Sequence, residues 1–130
     1  MRVISTIKME NNGSFSPSPK KIEQMNPKEL MLYATAHCAA LTINGMLDKE
    51  HIHPKWLEIE VSGELDTETL MAQSTYRTFN ILYRVECTHI EEQNKIAHAI
   101  RLTNEKYCGL LQMLRRIAPV SHEISIVSTE

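Results

Sequence analysis

The stretch NPKELMLYATAHCAALTINGML, Asn26 to Leu47, decides the fold. Asn26 can cap a helix, Pro27 fits the first helical position, and Glu29, three residues after Asn26, can close a capping box. From Leu30 to Leu47 no Asp, Glu, Lys or Arg occurs, and apolar side chains fall on nearly every side of the helix. Such a helix needs cover on several faces, so it lies at the centre of a domain or against a second subunit. A membrane span of this length is marginal. Thr35, His37, Thr42, Asn44 and Gly45 make a core helix the better reading.

The flanking segments supply a sheet. Lys55 to Leu65 alternates, with Leu57, Ile59, Val61 and Leu65 on one side and Glu58, Glu60, Ser62 and Glu64 on the other, the pattern of a half-exposed antiparallel strand. A second strand is expected over about Thr75 to Cys87, with Phe79, Ile81, Tyr83, Val85 and Cys87 in phase, joined to the first through Asp66 to Ser74. Before the long helix, Val3 to Ile7 is rich in β-branched residues and Asn11-Asn12-Gly13 is a turn signal. Ser14 to Lys21, with Pro17 and Pro19, reads as an extended loop. After the strands, Thr88-His89-Ile90-Glu91 reads as a capping box opening another helix. Gly109 is costly inside a helix by about 1 kcal/mol and marks a joint between two helical pieces. A last alternating run sets Ile124, Ile126 and Ser128 against Glu123, Ser125 and Val127. The expected class is α+β, one domain over residues 1–130, with 1–25 a short strand and linker and 26–130 the core.

Composition narrows the function. The 130 residues are 42% hydrophobic and 23% charged, within the range of a globular domain able to bury a core without staples. The formal charge of -2 gives no field to draw in phosphate backbones, so no nucleic-acid partner is expected. Residues 1–10 hold no apolar run of signal-peptide length, no membrane partner is expected, and the location expected is cytoplasmic. Glycine-rich phosphate loops, G-x-S-x-G elbows and dinucleotide fingerprints are missing, and no cofactor is expected.

Three cysteines are too few, and odd in number, for a disulfide framework. Cys87 is in phase with the apolar face of its strand and belongs to the core. Cys38, followed by Ala39 and Ala40, sits within the long helix, where a free thiol commonly behaves as a small hydrophobe. Cys108 adjoins Gly109, and at the start of a new helix the free amides would favour its thiolate. His37, His51 and His53 lack the spacing of a metal site, and none is expected. Cys38 and Cys108 can act as a pair only if packing brings their Cα atoms within about 7 Å.

Asn26-Pro27-Lys28-Glu29-Leu30 leading to Ala34-Thr35-Ala36-His37-Cys38, with Asn104-Glu105-Lys106-Tyr107-Cys108 and Val120-Ser121-His122, resembles the OsmC/Ohr family of osmotically inducible and organic-hydroperoxide-resistance proteins, on its OsmC-like branch. The resemblance implies an OsmC-like fold: an antiparallel sheet packed on a long central helix, in an intertwined homodimer. It further implies a stress-response thiol peroxidase in which Cys38 attacks an organic hydroperoxide and Cys108 resolves the sulfenic acid, with a dithiol as reductant. The family's peroxidases carry a glutamate directly after the motif's proline and an arginine in the N-terminal strands. Here Lys28 follows Pro27, and no arginine lies between Arg2 and Arg77. Glu29, nine positions before Cys38 at about 100° each, falls on the opposite face of the helix. The departures motivate an alternative, a non-catalytic binding protein of the same fold that holds a small apolar or lipid-like ligand.

Overall fold

The computed structural model describes residues 1–10 and 12–130; Asn11, part of the expected turn, lies outside the described residues. Strand β1 (Arg2–Met9) turns back through Gly13, whose φ of 84° suits glycine, into β2 (Phe15–Ser18). Here the structure corrects the reading of Ser14 to Lys21 as loop. The segment pairs with β1 despite its prolines because β2 is the sheet's edge, where a residue without an N–H costs no ladder bond.

Helix α1 (Pro27–Lys49) begins where the capping box places it: the Asn26 side chain accepts from the Glu29 amide at 2.9 Å, and Glu29 Oε1 accepts from the Asn26 amide at 3.1 Å. Glu29 is buried, and Lys20 Nζ donates to both of its carboxylate oxygens at 3.0 and 2.8 Å. Burial pushes this carboxyl's pKa up, but the Lys20 bonds and charge and the Asn26 amide outweigh it, and the net shift is downward from 4.5. A lowered folded-state pKa means that the pairing contributes in full above about 4.5 and is lost as pH falls below that value. Glu29→Gln is therefore expected to cost about 1 kcal/mol in urea unfolding at pH 7. The deficit should shrink toward zero at pH 3, and an equal deficit at both pH values would rule out the ion pair as its source.

The remaining strands are β3 (Trp56–Leu65), β4 (Tyr76–Cys87) and β5 (Val120–Ser128), in the order β2-β1-β3-β4-β5. The first four are mutually antiparallel, but β5 lies parallel to β4. The antiparallel sheet that the resemblance implies thus holds for every neighbouring pair except the last. The connection from β4 to β5 carries helices α2 (Gln93–Leu102) and α3 (Gly109–Ile117) across the sheet, so the chain re-enters at the end where β4 began.

The Thr88-Glu91 capping box does not form. Thr129 N donates to Cys87 O at 3.0 Å and Ser128 Oγ donates to Thr88 O at 3.4 Å, which keeps Thr88 in extended company with β5. A short 3-10 turn over Ile90–Glu92 then leads into α2, whose cap residue, Glu92, makes no side-chain capping bond.

Leu32, Ala36, Ala39, Ala40, Ile43 and Leu47 of α1 are buried, packed in one core with Leu57, Ile59, Val61, Ile81 and Tyr83 of the sheet. Although α1 is long and apolar enough to cross a membrane by composition, this face makes it the core helix of the fold. Its opposite stripe, Ala34, His37, Leu41 and Gly45, is exposed, so the cover expected on several faces is met within this chain on the core side and not on this stripe.

Candidate functional site

The feature that shapes the site is the break between α2 and α3. The helix widens into a π-helical turn over Thr103–Tyr107, closed by Cys108 N donating to Thr103 O at 3.0 Å. Cys108 is extended (φ -87°, ψ 100°) and is the cap residue of α3, and Gly109 opens that helix. Gly109 therefore stands at the joint anticipated from its helix penalty, as the first residue of a helix instead of an interior one.

The joint carries Cys108 to the side of α1. Its thiol points at the Thr35 carbonyl oxygen, 3.9 Å away and one turn before Cys38, whose side chain is near enough to raise the Cys108 pKa. The two residues paired on the motif are thus brought together from elements 70 positions apart in sequence, both as free thiols. Their environments differ. Cys38 is half-buried and borders the exposed stripe of α1, whereas Cys108 is fully buried. Burial pushes the Cys108 thiol up strongly. The Leu111 and Leu110 amides pull it down, the neighbouring Cys38 adds to the rise, and the net result is well above the ordinary thiol range. The helix-start amides expected to favour a thiolate at Cys108 are present, but desolvation wins. Cys108 is held as a thiol until another group reaches it, and Cys38 is the sulfur a reagent from solvent meets first.

Cys87 is buried in the core as read from its strand, its thiol raised by desolvation and directed at His89 O at 3.5 Å. His51 and His53 are exposed on the loop after α1. His89, Glu91 and Glu130 converge within 4.8 Å on the surface, where His89 Nδ1 and Glu130 Oε2 are 3.0 Å apart. No spacing rule finds this group, because Glu130 comes from the far end of the chain.

A polar network beside Cys108 also escaped the sequence reading. Tyr83, fully buried on β4, donates its hydroxyl to Asn104 Oδ1 at 2.8 Å, and Asn104 Nδ2 is 3.3 Å from His122 Nδ1 on β5. Tyr83 fell in phase with the apolar strand face, and its hydroxyl partner lies in another element. The signal available was the Asn104 position itself, a polar residue just before a helix joint.

Two of the lysines near the motif, Lys20 and Lys28, are committed elsewhere. Lys20 is held by Glu29, and Lys28, which stands directly after the motif's proline, donates to the Met71 and Ala72 carbonyls at 3.1 and 3.2 Å. Glu29 faces Lys20 and Asn26, consistent with its expected place on the side of α1 away from Cys38.

Known proteins share this architecture. The chain is 25% identical over 118 residues to Protein YhfA of Escherichia coli K12, covering 91% of this chain and 79% of that protein. Its fold matches an OsmC-like protein from Mycoplasma pneumoniae (TM-score 0.63, 16% identity, 98% of this chain and 97% of that one). It also matches the organic hydroperoxide resistance protein OhrB of Bacillus subtilis (TM-score 0.55, 13% identity, 96% and 98% covered). The family model described as OsmC-like protein matches residues 18–123, a span that takes in the α1 motif, Cys38, Cys108 and the Asn104 network, and the chain belongs to that family.

Proposed function

We propose that the protein is a thiol peroxidase that reduces organic hydroperoxides, with Cys38 as the attacking thiol and Cys108 as the resolving thiol. The observation that carries this reading is the seating of the buried Cys108 thiol on the α1 turn just before the more accessible Cys38. In the first step the Cys38 thiolate attacks the outer peroxide oxygen, the O–O bond breaks, the alcohol leaves with a proton, and sulfur is oxidised to sulfenic acid. In the second the Cys108 sulfur attacks Cys38, the S–O bond breaks and water leaves carrying the thiol proton. A dithiol then reduces the disulfide by exchange, taking the two oxidising equivalents. The name of the Bacillus subtilis neighbour, an organic hydroperoxide resistance protein, supports the choice of substrate class.

The working form is a cytoplasmic homodimer. Ala34, His37, Leu41 and Gly45 leave one apolar-to-small stripe of α1 open beside Cys38, and a second copy covers it. The partner then completes the surroundings of Cys38, whose own chain has Lys20 and Lys28 already engaged.

Turnover is the test. With cumene hydroperoxide and a dithiol reductant, the wild-type protein consumes peroxide steadily, and Cys38→Ser lowers the rate by about two orders of magnitude or more. Equal rates for the two proteins would refute the reading. They would favour the alternative, an apolar-ligand binder, for which a groove of about 390 Å³ between α1 and α2, with Met46, Leu47, Ala99 and Leu102 beside Glu50, Asn94, Lys95 and His98, is the candidate cleft.

A further inference from the structure

The turn that carries Cys108 is held in a way that filling a core does not require. A π-helical turn has poor local energetics, and Thr-Asn-Glu-Lys-Tyr has no intrinsic preference for it, so tertiary bonds must keep it in place. Asn104 supplies them in three directions. Its Oδ1 accepts from the Tyr83 hydroxyl on β4, its Nδ2 meets His122 Nδ1 on β5, and its carbonyl oxygen accepts from Gln112 Nε2 of α3 at 3.2 Å. Gln112 also donates to the Cys108 carbonyl at 3.4 Å, and Arg115 fixes its Oε1 at 2.7 Å.

An apolar residue at 104 would fill the same space by contact alone and leave rotation of the turn about its own axis loosely defined. A buried amide with both ends bonded defines that rotation, and any rotation that breaks a bond strands a desolvated polar atom. Rotation is the coordinate that matters, because Cys108 is four residues on and its backbone is clamped at both ends, N–H to Thr103 and C=O to Gln112.

We infer that Asn104 is the positioning residue of the thiol pair: by tying the π-helical turn to β4, β5 and α3, it holds Cys108 in bonding register with Cys38 and so sets how readily their disulfide closes. This rests on the proposed Cys38–Cys108 pairing but not on a hydroperoxide being the oxidant.

Glutathione redox buffers test it without peroxide. One oxidised glutathione takes two electrons and two thiol protons from Cys38 and Cys108, leaving the protein disulfide and two reduced glutathiones. The equilibrium constant is read by thiol trapping and mass spectrometry on the full chain. Asn104→Leu should lower it at least about tenfold, and Tyr83→Phe, which keeps the ring and removes only the hydroxyl, about threefold. Ile100→Val, a core trim on α2 outside the network, should lower thermal stability and leave the equilibrium constant unchanged. If Asn104→Leu does not fold, Tyr83→Phe decides alone. Values within about twofold of wild type for the folded network variants would overturn the inference, as would a wild-type chain that forms no Cys38–Cys108 disulfide at all. Loss of peroxide turnover with an intact glutathione equilibrium would remove the peroxidase reading and leave this one standing.

Discussion

Cys108→Ser protein is expected to consume one equivalent of organic hydroperoxide and then stop. Cys38 stays half-exposed and keeps its place on α1 in this variant, so its reaction with peroxide proceeds as before. What is lost is the neighbouring sulfur, the one that in the proposed cycle would attack the sulfenic acid and expel water. Serine at 108 fills nearly the same volume and preserves the capping position at the start of α3, so the fold is expected to survive. Steady-state turnover should fall by about two orders of magnitude, while a single-turnover burst remains and a dimedone-type probe labels Cys38. The reverse pattern, full turnover without Cys108, would mean that reductant reaches the sulfenic acid directly and that Cys108 is a core residue. The placement of Cys108 argues against that outcome, because its thiol is fully desolvated yet borders the one cysteine that a reagent can approach.

The second large effect is on stability. Gly63 lies in β3 between Val3 of β1 and Phe79 of β4. A Cβ at this position would sit 2.5 Å from Tyr76 Cδ1, 2.6 Å from Tyr76 Cε1 and 3.2 Å from the Thr78 carbonyl oxygen. The ring is held: its hydroxyl donates to Lys28 O at 2.7 Å, and it packs against the Phe79 ring at a 46° tilt with centroids 4.9 Å apart. Adding one methyl group therefore forces the first turn of α1, β3 and β4 to shift together. Gly63→Ala should cost about 2 to 3 kcal/mol and lower Tm by roughly 8 to 12 °C in a thermal melt. An unchanged Tm would mean that the Tyr76 ring is not held as the bond to Lys28 implies.

Local chemistry made much of this fold legible. The start of α1 is written in Asn26, Pro27 and Glu29, and the alternation of Leu57, Ile59 and Val61 against Glu58 and Glu60 marks β3 without help from any partner. Gly109 announced the helix joint because glycine inside a helix is disfavoured for local reasons. Three features depend on where distant segments meet, and they were hidden. Strand β2 looks like a linker because Pro17 is acceptable only at a sheet edge, and edge status is a property of the whole sheet. The direction of β5 follows from the crossover of α2 and α3, and the late start of α2 follows from Thr88 being held beside β5.

The site divides along the same line. The family resemblance singled out Cys38 and Cys108, but only packing seats the Cys108 thiol on the α1 turn before Cys38. Asn104 is a polar residue in a helical context, which by composition reads as surface, and its burial follows from the Tyr83 hydroxyl and the His122 ring waiting on two strands.

The most direct test of the pairing is to add one equivalent of cumene hydroperoxide to the reduced wild-type protein and to measure intact mass and digested peptides without reductant. The expected product is lighter by two hydrogen atoms and yields one cross-linked pair joining the peptides of Cys38 and Cys108, with Cys87 still free. An unlinked Cys38, or a cross-link that uses Cys87, would contradict the thiol pair at the helix joint.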